Sequence, residues 1–187
     1  MSAPASVPPL VAAALALSQR EGFLRSSSKE TGRLLAVLAA SRSGRLGELG
    51  TGCGVGAAWL ASGRREDATV VTAELDPVLA AAAQALFADE PGVEVVSGDW
   101  TTLTAYAPFS LLFVDVRDAK QDLDFVADLI EPGGQVVLDD FTPSTSWPPR
   151  YAGRVDSLRQ QWLTDPRFIA VEVLMAEDAS VVVATRR

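Results

Sequence analysis

The spacing of apolar residues changes several times along the chain, and each change marks an element. From Pro9 to about Arg20 an Ala/Leu run predicts a helix, with proline in its first turn, where the missing N–H costs little. The stretch SSSKETGRLLAVLAASRSG, residues 26–44, predicts a second helix. Serine can cap it, and positions 34, 35, 38 and 39 form one apolar stripe. The pattern then alternates. GRLGELG (44–50) predicts a short strand, and residues 54–62 a helix. ATVVTAEL (68–75) predicts a strand, and DPVLAAAAQALFADE (76–90) a helix capped by Asp76 with Pro77 at its first position. GVEVVSGD (92–99) is a strand. FSLLFVDV (109–116) is a strand apolar on both faces, as a central parallel strand should be. QDLDFVADLIEPGG (121–134) predicts a helix closed by glycine, and QVVLDD (135–140) a fifth strand.

The last part differs. AGRVDSLRQQWLTDP (152–166) predicts a helix, followed by strands RFIAVEVLMAED (167–178) and ASVVVATRR (179–187). The turn between these two strands is too short for a crossover, so they must pair antiparallel. The expectation is an α/β protein: a Rossmann-like, doubly wound sheet of five parallel strands plus a C-terminal antiparallel hairpin, with helices on both faces. The 187 residues suit one domain and not two ordinary ones. Within it, residues 1–8 are expected to fray, 9–43 to form N-terminal helices and 44–187 the sheet core.

Composition narrows the chemistry. At 48% apolar the chain is globular, yet its apolar runs fall short of the roughly 20 residues a membrane span needs. The N-terminus has an apolar middle with no basic residue before it, which argues against a signal peptide. Cys53 is the single cysteine, so an intrachain disulfide and a cysteine metal cluster are excluded, and a cytoplasmic setting is expected. There is no histidine, which removes the commonest general base and zinc ligand. Any metal would be held by oxygens, favouring Mg²⁺ or Ca²⁺. A net charge of −8 argues against a nucleic-acid partner. A homodimer through the N-terminal helix stays open.

Residues 48–61, ELGTGCGVGAAWLA, place Gly50, Gly52, Gly54 and Gly56 after the first strand and before a helix. Ligands of open α/β sheets bind at that edge. Glycine lets the backbone turn with positive φ and lets a ligand approach main-chain atoms. Two reagents use such a loop: a dinucleotide or S-adenosylmethionine. Glu48 before the loop would repel a pyrophosphate and attract an ammonium. Glu74 ends the second strand and can accept from two ribose hydroxyls. Asp99 ends the third and can accept from an adenine amino group, with Trp100 beside it as a cover for the ring. Asp115 ends the fourth strand, and Asp139 and Asp140 the fifth. A negative rim suits a sulfonium reagent. Singly, each feature has a plainer reading: tight corners want glycine, and strand-end acids cap helices. For Asp76 the cap reading is preferred. For Glu48, Glu74 and Asp99 together, function is preferred.

In order, ELGTGCGVGAAWLA, VVTAELDP, VVSGDW, LLFVDVRD and EPGGQVVLDD resemble the successive motifs of class I S-adenosylmethionine-dependent methyltransferases. The resemblance runs from about Ser28 to the end and is nearest to the small catechol-type and caffeoyl-CoA-type O-methyltransferases. It implies strand order 3-2-1-4-5-7-6 and cofactor contacts from Glu48, Gly50, Thr51, Gly52, Gly54, Glu74, Leu75, Gly98, Asp99, Trp100 and Asp115. Residues around Ser28 and Lys29 would close over the cofactor. In catechol-type relatives a divalent cation activates the acceptor hydroxyl, held by an Asp after the fourth strand and an Asp-Asn pair after the fifth. The matching residues are Asp115, Asp139 and Asp140, with Asp140 in the Asn position. A pair of strand-end carboxylates with no metal is an equally good reading. That family's lysine base follows its first metal Asp by three residues, where this chain has Asp118. A one-turn shift would bring Lys120 into that role, so Asp115 and Lys120 are the catalytic candidates. A surface position is nonetheless the plainer expectation for Lys120.

The segment after Asp115, VRDA, lacks the Asn/Asp-Pro-Pro-aromatic motif of amino-group methyltransferases, which argues against a nucleobase acceptor. In the loop FTPSTSWPPRYAGR, Trp147 and Tyr151 either wall an acceptor pocket or pack the loop onto the sheet. The expectation is therefore O-methylation of a small molecule. Two rivals stand beside it. GCGVGA, residues 52–57, also fits the looser dinucleotide fingerprint of a nicotinamide-dependent oxidoreductase. A protein that binds the cofactor without catalysis is the other.

Overall fold

The computed structural model describes residues 6–24 and 26–187. The fraying expected of residues 1–8 falls largely on 1–5, outside the described residues. Helices α1 (Pro9–Arg20) and α2 (Lys29–Ala40) lead into strand β1 (Gly44–Leu49). Then follow α3 (Val55–Gly63), β2 (Ala68–Glu74), α4 (Pro77–Leu86), β3 (Val93–Ser97), a 3₁₀ turn (Trp100–Tyr106) and β4 (Phe109–Val114). The second half contains α5 (Arg117–Gln121), α6 (Leu123–Leu129), β5 (Ile130–Phe141), β6 (Arg150–Tyr151), β7 (Arg154–Val155), α7 (Ser157–Thr164), β8 (Phe168–Leu174) and β9 (Ser180–Arg186).

Seven strands form one sheet in the order β3-β2-β1-β4-β5-β9-β8. The first five are parallel, and β9 runs antiparallel to both β5 and β8. This is the expected architecture, with the terminal hairpin in sixth and seventh place. All six residues of β4 are buried, which matches its place between β1 and β5. One core joins α1, α2 and α3 to one sheet face, through Val11, Leu35, Trp59, Leu46 and Leu111. The other packs α5, α6 and α7 on the opposite face, through Leu123, Val126, Trp162 and Leu112. Among the described residues, no helix is long and apolar enough to cross a membrane.

Two boundaries differ from expectation. The helix predicted over 121–134 breaks at Asp122 and ends at Leu129, and Ile130 is already extended and paired with Phe109. Pro132 explains this, since the residue before a proline avoids the helical region and proline has no N–H to give a helix. Gly133 and Gly134 therefore lie in an irregular start to β5, not at a helix end. The helix predicted over 152–166 starts only at Ser157, capped by Asp156, whose side chain accepts from the Arg159 N–H. Ala152 and Gly153, both at positive φ, instead turn a two-strand ribbon, β6–β7.

Candidate active site

The reversal of strand order between β1 and β4 opens a crevice at the carboxyl ends of the strands. Gly50, Gly52 and Gly54 leave β1 with φ of 94°, 53° and 84°. A side chain at Gly50 would meet Val116, and one at Gly52 would meet the ring of Phe23, 2.8 Å away. The loop is thus tight on both sides.

Glu48, at the end of β1, is 1% exposed. Its carboxylate accepts from the Thr72 hydroxyl at 2.7 Å, and Thr72 is in turn 2.6 Å from the Thr51 hydroxyl. Burial raises the Glu48 carboxyl well above its ordinary value, the Thr72 hydrogen bond opposes that rise, and Asp115 and Glu74 add to it. A Cβ on Gly56 would lie 2.0 Å from the Glu48 carboxylate, so glycine at 56 leaves room for the acid itself. The cavity beside Glu48, lined also by Phe23, Ser26 and Gly52, holds only about 20 Å³, enough for about one water.

Glu74, at the end of β2, accepts from the Gly52 N–H at 2.7 Å with one oxygen and from the Asp76 N–H at 2.9 Å with the other. It braces the glycine loop. Each oxygen of a carboxylate has two acceptor sites, so one on each remains for a ligand hydroxyl. Asp76 caps α4, accepting from Val78 and Leu79 N–H groups, as the cap reading requires. Ser28 likewise caps α2, accepting from the Thr31 N–H.

Asp115, Asp139 and Asp140 come together after β4 and β5. One carboxylate oxygen from each lies within 4.8 Å of the others. Asp140 sits at φ 62°, in the left-handed region that Asn and Asp tolerate best among residues with a side chain. Asp139 is buried and accepts from the Thr31 hydroxyl at 3.3 Å. Burial raises its carboxyl, opposed by the Asp140 N–H. Burial also pushes Asp115 up to about 8, against the pull of Lys120 and with help from Asp140 and Asp139.

Lys120 is not on the surface. It is 5% exposed, because the short helix α5 turns Ala119 and Lys120 inward against the strand ends. Its ammonium donates to the Asp139 carbonyl at 2.8 Å and lies 3.6 Å from Asp140 and 3.9 Å from Asp115. The indole N–H of Trp162 holds the Lys120 carbonyl at 2.8 Å. Asp115 and Asp140 therefore share one buried cation, which also holds the main-chain carbonyl of Asp139.

A cleft of about 1260 Å³ runs from Glu74 and Asp76, past Asp115 and Lys120, to the loop that bears Tyr151. Of the candidate residues, Gly50, Gly52, Glu74, Asp115, Lys120 and Asp140 line this cleft, and Glu48 and Thr51 line the small cavity beside it. Gly54, Leu75, Gly98, Asp99, Trp100 and Asp139 do not line either. Asp99 caps the 3₁₀ turn, accepting from the Thr101 N–H and hydroxyl. Trp100 meets Phe125 edge-on at 4.8 Å. Trp147 is 65% exposed and does not line the cleft, whereas Tyr151 does.

Three contributors were missed. Thr72 left a signal, a polar residue inside an otherwise apolar strand. Arg159 left none: it is fully buried, pairing with Glu172 at 2.7 Å and Asp156 at 3.0 Å and donating to the Thr142 carbonyl, which ties the loop after β5 to the sheet. Phe23 left none either.

A family model described as a methyltransferase domain matches residues 48–141, half of the chain. The protein belongs to that methyltransferase family. A protein of Mycobacterium tuberculosis named a probable O-methyltransferase is 34% identical over 119 residues, which cover 57% of this chain and 52% of that one. The chain spans about half the length of the curated relatives it matches. Among solved structures, a cofactor-bound protein from M. tuberculosis superposes with a TM-score of 0.76 at 25% identity, covering 97% of this chain and 91% of the other. An O-methyltransferase of Bacillus cereus in complex with S-adenosylhomocysteine has the same fold, with a TM-score of 0.77 at 20% identity and coverage of 97% and 92%.

Proposed function

We propose that this protein is an S-adenosylmethionine-dependent O-methyltransferase of a small molecule, acting as one domain over residues 1–187. The observation that carries this reading is the pair of strand-end glutamates around the glycine loop. Glu48 offers a buried acid that the donor's ammonium would draw into its ionised form, and Glu74 offers two spare acceptor positions for its ribose. Both suit an aminoacyl nucleoside better than a pyrophosphate, which separates this reading from a nicotinamide enzyme. The family match and the cofactor-bound structural relatives point the same way. Asp99 and Trp100 remain proposed adenine contacts, and Leu75, Gly98 and Gly54 proposed cofactor contacts, on the strength of the family resemblance. The charge of −8 favours a small acceptor over a nucleic acid, and the free thiol of Cys53 suits a reducing cytoplasm.

Phe23 controls access to Glu48. With its ring against Gly52, the space beside the acid is far too small for a methionyl group. Donor binding therefore requires the Phe23 ring to move off Gly52 and reclose. Closure would exclude water from the sulfonium.

In the reaction the acceptor oxygen attacks the donor methyl in line with sulfur, and alignment of the two reagents is the largest contribution the protein makes. In this reading Lys120 and Asp115 serve the acceptor oxygen as it loses its proton. A buried ammonium beside it stabilises the developing oxyanion, and the raised Asp115 carboxyl is tuned to exchange protons near neutrality. The three carboxylates also fit a hard divalent cation by donor type and spacing. Asp115, Asp139 and Asp140 would hold it, and it would lower the acceptor hydroxyl's pKa. Incubation with methyl-labelled S-adenosylmethionine and a panel of catechols, with and without EDTA, tests both points. Labelled methyl ether is the expected product. Equal rates in EDTA would remove the metal and leave Lys120 as the cation, and no transfer to any hydroxyl would overturn the activity.

A further inference from the structure

We infer that the acceptor carries a carboxylate and that Arg117 and Arg154 bind it at the loop end of the cleft. This rests on the methyl-transfer reading and names the class of acceptor.

The first support is a census of guanidinium groups. Among the described residues, the arginine side chains that make no hydrogen bond or ion pair are Arg20, Arg117 and Arg154. Two of these three line the cleft. The other described arginines all have partners, including the fully buried Arg159.

The second support is the distribution of charge along the cleft. At the donor end the lining acids are Glu74 and Asp76. In the middle, Asp115 and Asp140 share Lys120. At the loop end the one lining acid is Asp156, and Arg159 neutralises it at 3.0 Å. Arg154 lines that part of the cleft without an ion-pair partner, and Arg117, two residues after Asp115, lines it as well. The cleft is thus negative where a sulfonium donor belongs and positive where the far end of an acceptor must lie. A molecule with a hydroxyl near Lys120 and a carboxylate beyond it complements both.

The third support is what lies between. Tyr151 pairs in register with Arg154 across the β6–β7 ribbon, so the ring and the guanidinium are cross-strand neighbours. Val116, Tyr151, Val155 and Leu158 give the lining an apolar stretch that suits an aromatic body. The planar guanidinium matches a carboxylate in two parallel hydrogen bonds, which a lysine could not do.

The test compares two probes of nearly equal shape, 3,4-dihydroxybenzoate and the neutral 3,4-dihydroxybenzamide. Each is titrated calorimetrically into protein saturated with S-adenosylhomocysteine at pH 7.5. The expected result is at least about tenfold tighter binding of the benzoate, a preference that weakens with added salt. In Arg117→Gln/Arg154→Gln the preference falls to near unity, while Arg20→Gln, outside the cleft, keeps it in full. Heat from S-adenosylhomocysteine alone is recorded for every variant to show that each is folded. Equal affinities, tighter binding of the amide, binding of neither probe, or a preference that survives the double substitution would each overturn the assignment. Absence of heat from S-adenosylhomocysteine would instead overturn the methyl-donor reading on which it rests.

Discussion

Glu48 shows how much a single carboxyl can carry. It is buried, fed by a threonine hydroxyl, and its carboxylate fills the space a side chain at position 56 would take. Its pKa lies well above the ordinary 4.5 in the folded chain, so the native state holds a proton that the unfolded chain has released. For a raised acid the sign is fixed: stability falls as pH climbs from about 4.5 toward the folded value. Glu48→Gln removes that titration. Thermal melts at pH 5 and pH 8 should show the variant gaining on the wild type at the higher pH, and a constant gap would contradict the burial argument. Glu48, Glu74, Asp76 and Ser28 were legible in the sequence because strand ends and helix starts place them without tertiary detail. Phe23 was not, since a ring that reaches a glycine across a linker leaves no periodicity. Lys120 was misread for a related reason: its burial depends on where a five-residue helix packs, not on its own neighbours in the chain.

At the scale of elements, α5 and the loop after β5 shape the cleft beyond Asp115. α5 carries Lys120 inward, with its carbonyl held by Trp162 of α7. Replacing the ammonium by an isosteric apolar chain, Lys120→Met, should lower methyl-transfer kcat by about a hundredfold or more. The affinity for S-adenosylhomocysteine should stay within about twofold, read by calorimetry beside steady-state kinetics. An unchanged kcat would return Lys120 to a structural role. Arg159 anchors the loop from beneath. Arg159→Met would leave Glu172 and Asp156 as largely buried, unpaired carboxylates, and should cost about 3–5 kcal/mol in urea denaturation. A loss within the scatter of ordinary surface substitutions would show that the pairing does not hold the loop. The ribbon in this loop escaped the sequence reading because the helical spacing of 157–164 extends smoothly backward through Arg154. Only the cap at Asp156 and the positive φ at Ala152 and Gly153 stop it.

For the whole molecule, topology was the most legible level. Strand–helix alternation implies parallel pairing, a short final turn implies an antiparallel hairpin, and right-handed crossovers leave few arrangements. Seven strands in that order bring the ends of β1, β2, β4 and β5 to one edge, so acids far apart in sequence face one crevice. What sequence could not supply was the state of that crevice, with Phe23 closed against Gly52 beside Glu48 and a buried lysine among the acids. The central claim is that this edge binds S-adenosylmethionine through Glu48 and Glu74. Calorimetric titration of S-adenosylhomocysteine and of NADH into the wild type and Glu74→Ala tests it most directly. The account predicts micromolar binding of S-adenosylhomocysteine, no heat from NADH, and at least about a tenfold loss of affinity in the variant. Binding of NADH in its place, or a Glu74→Ala affinity within a factor of about two of the wild type, would contradict it.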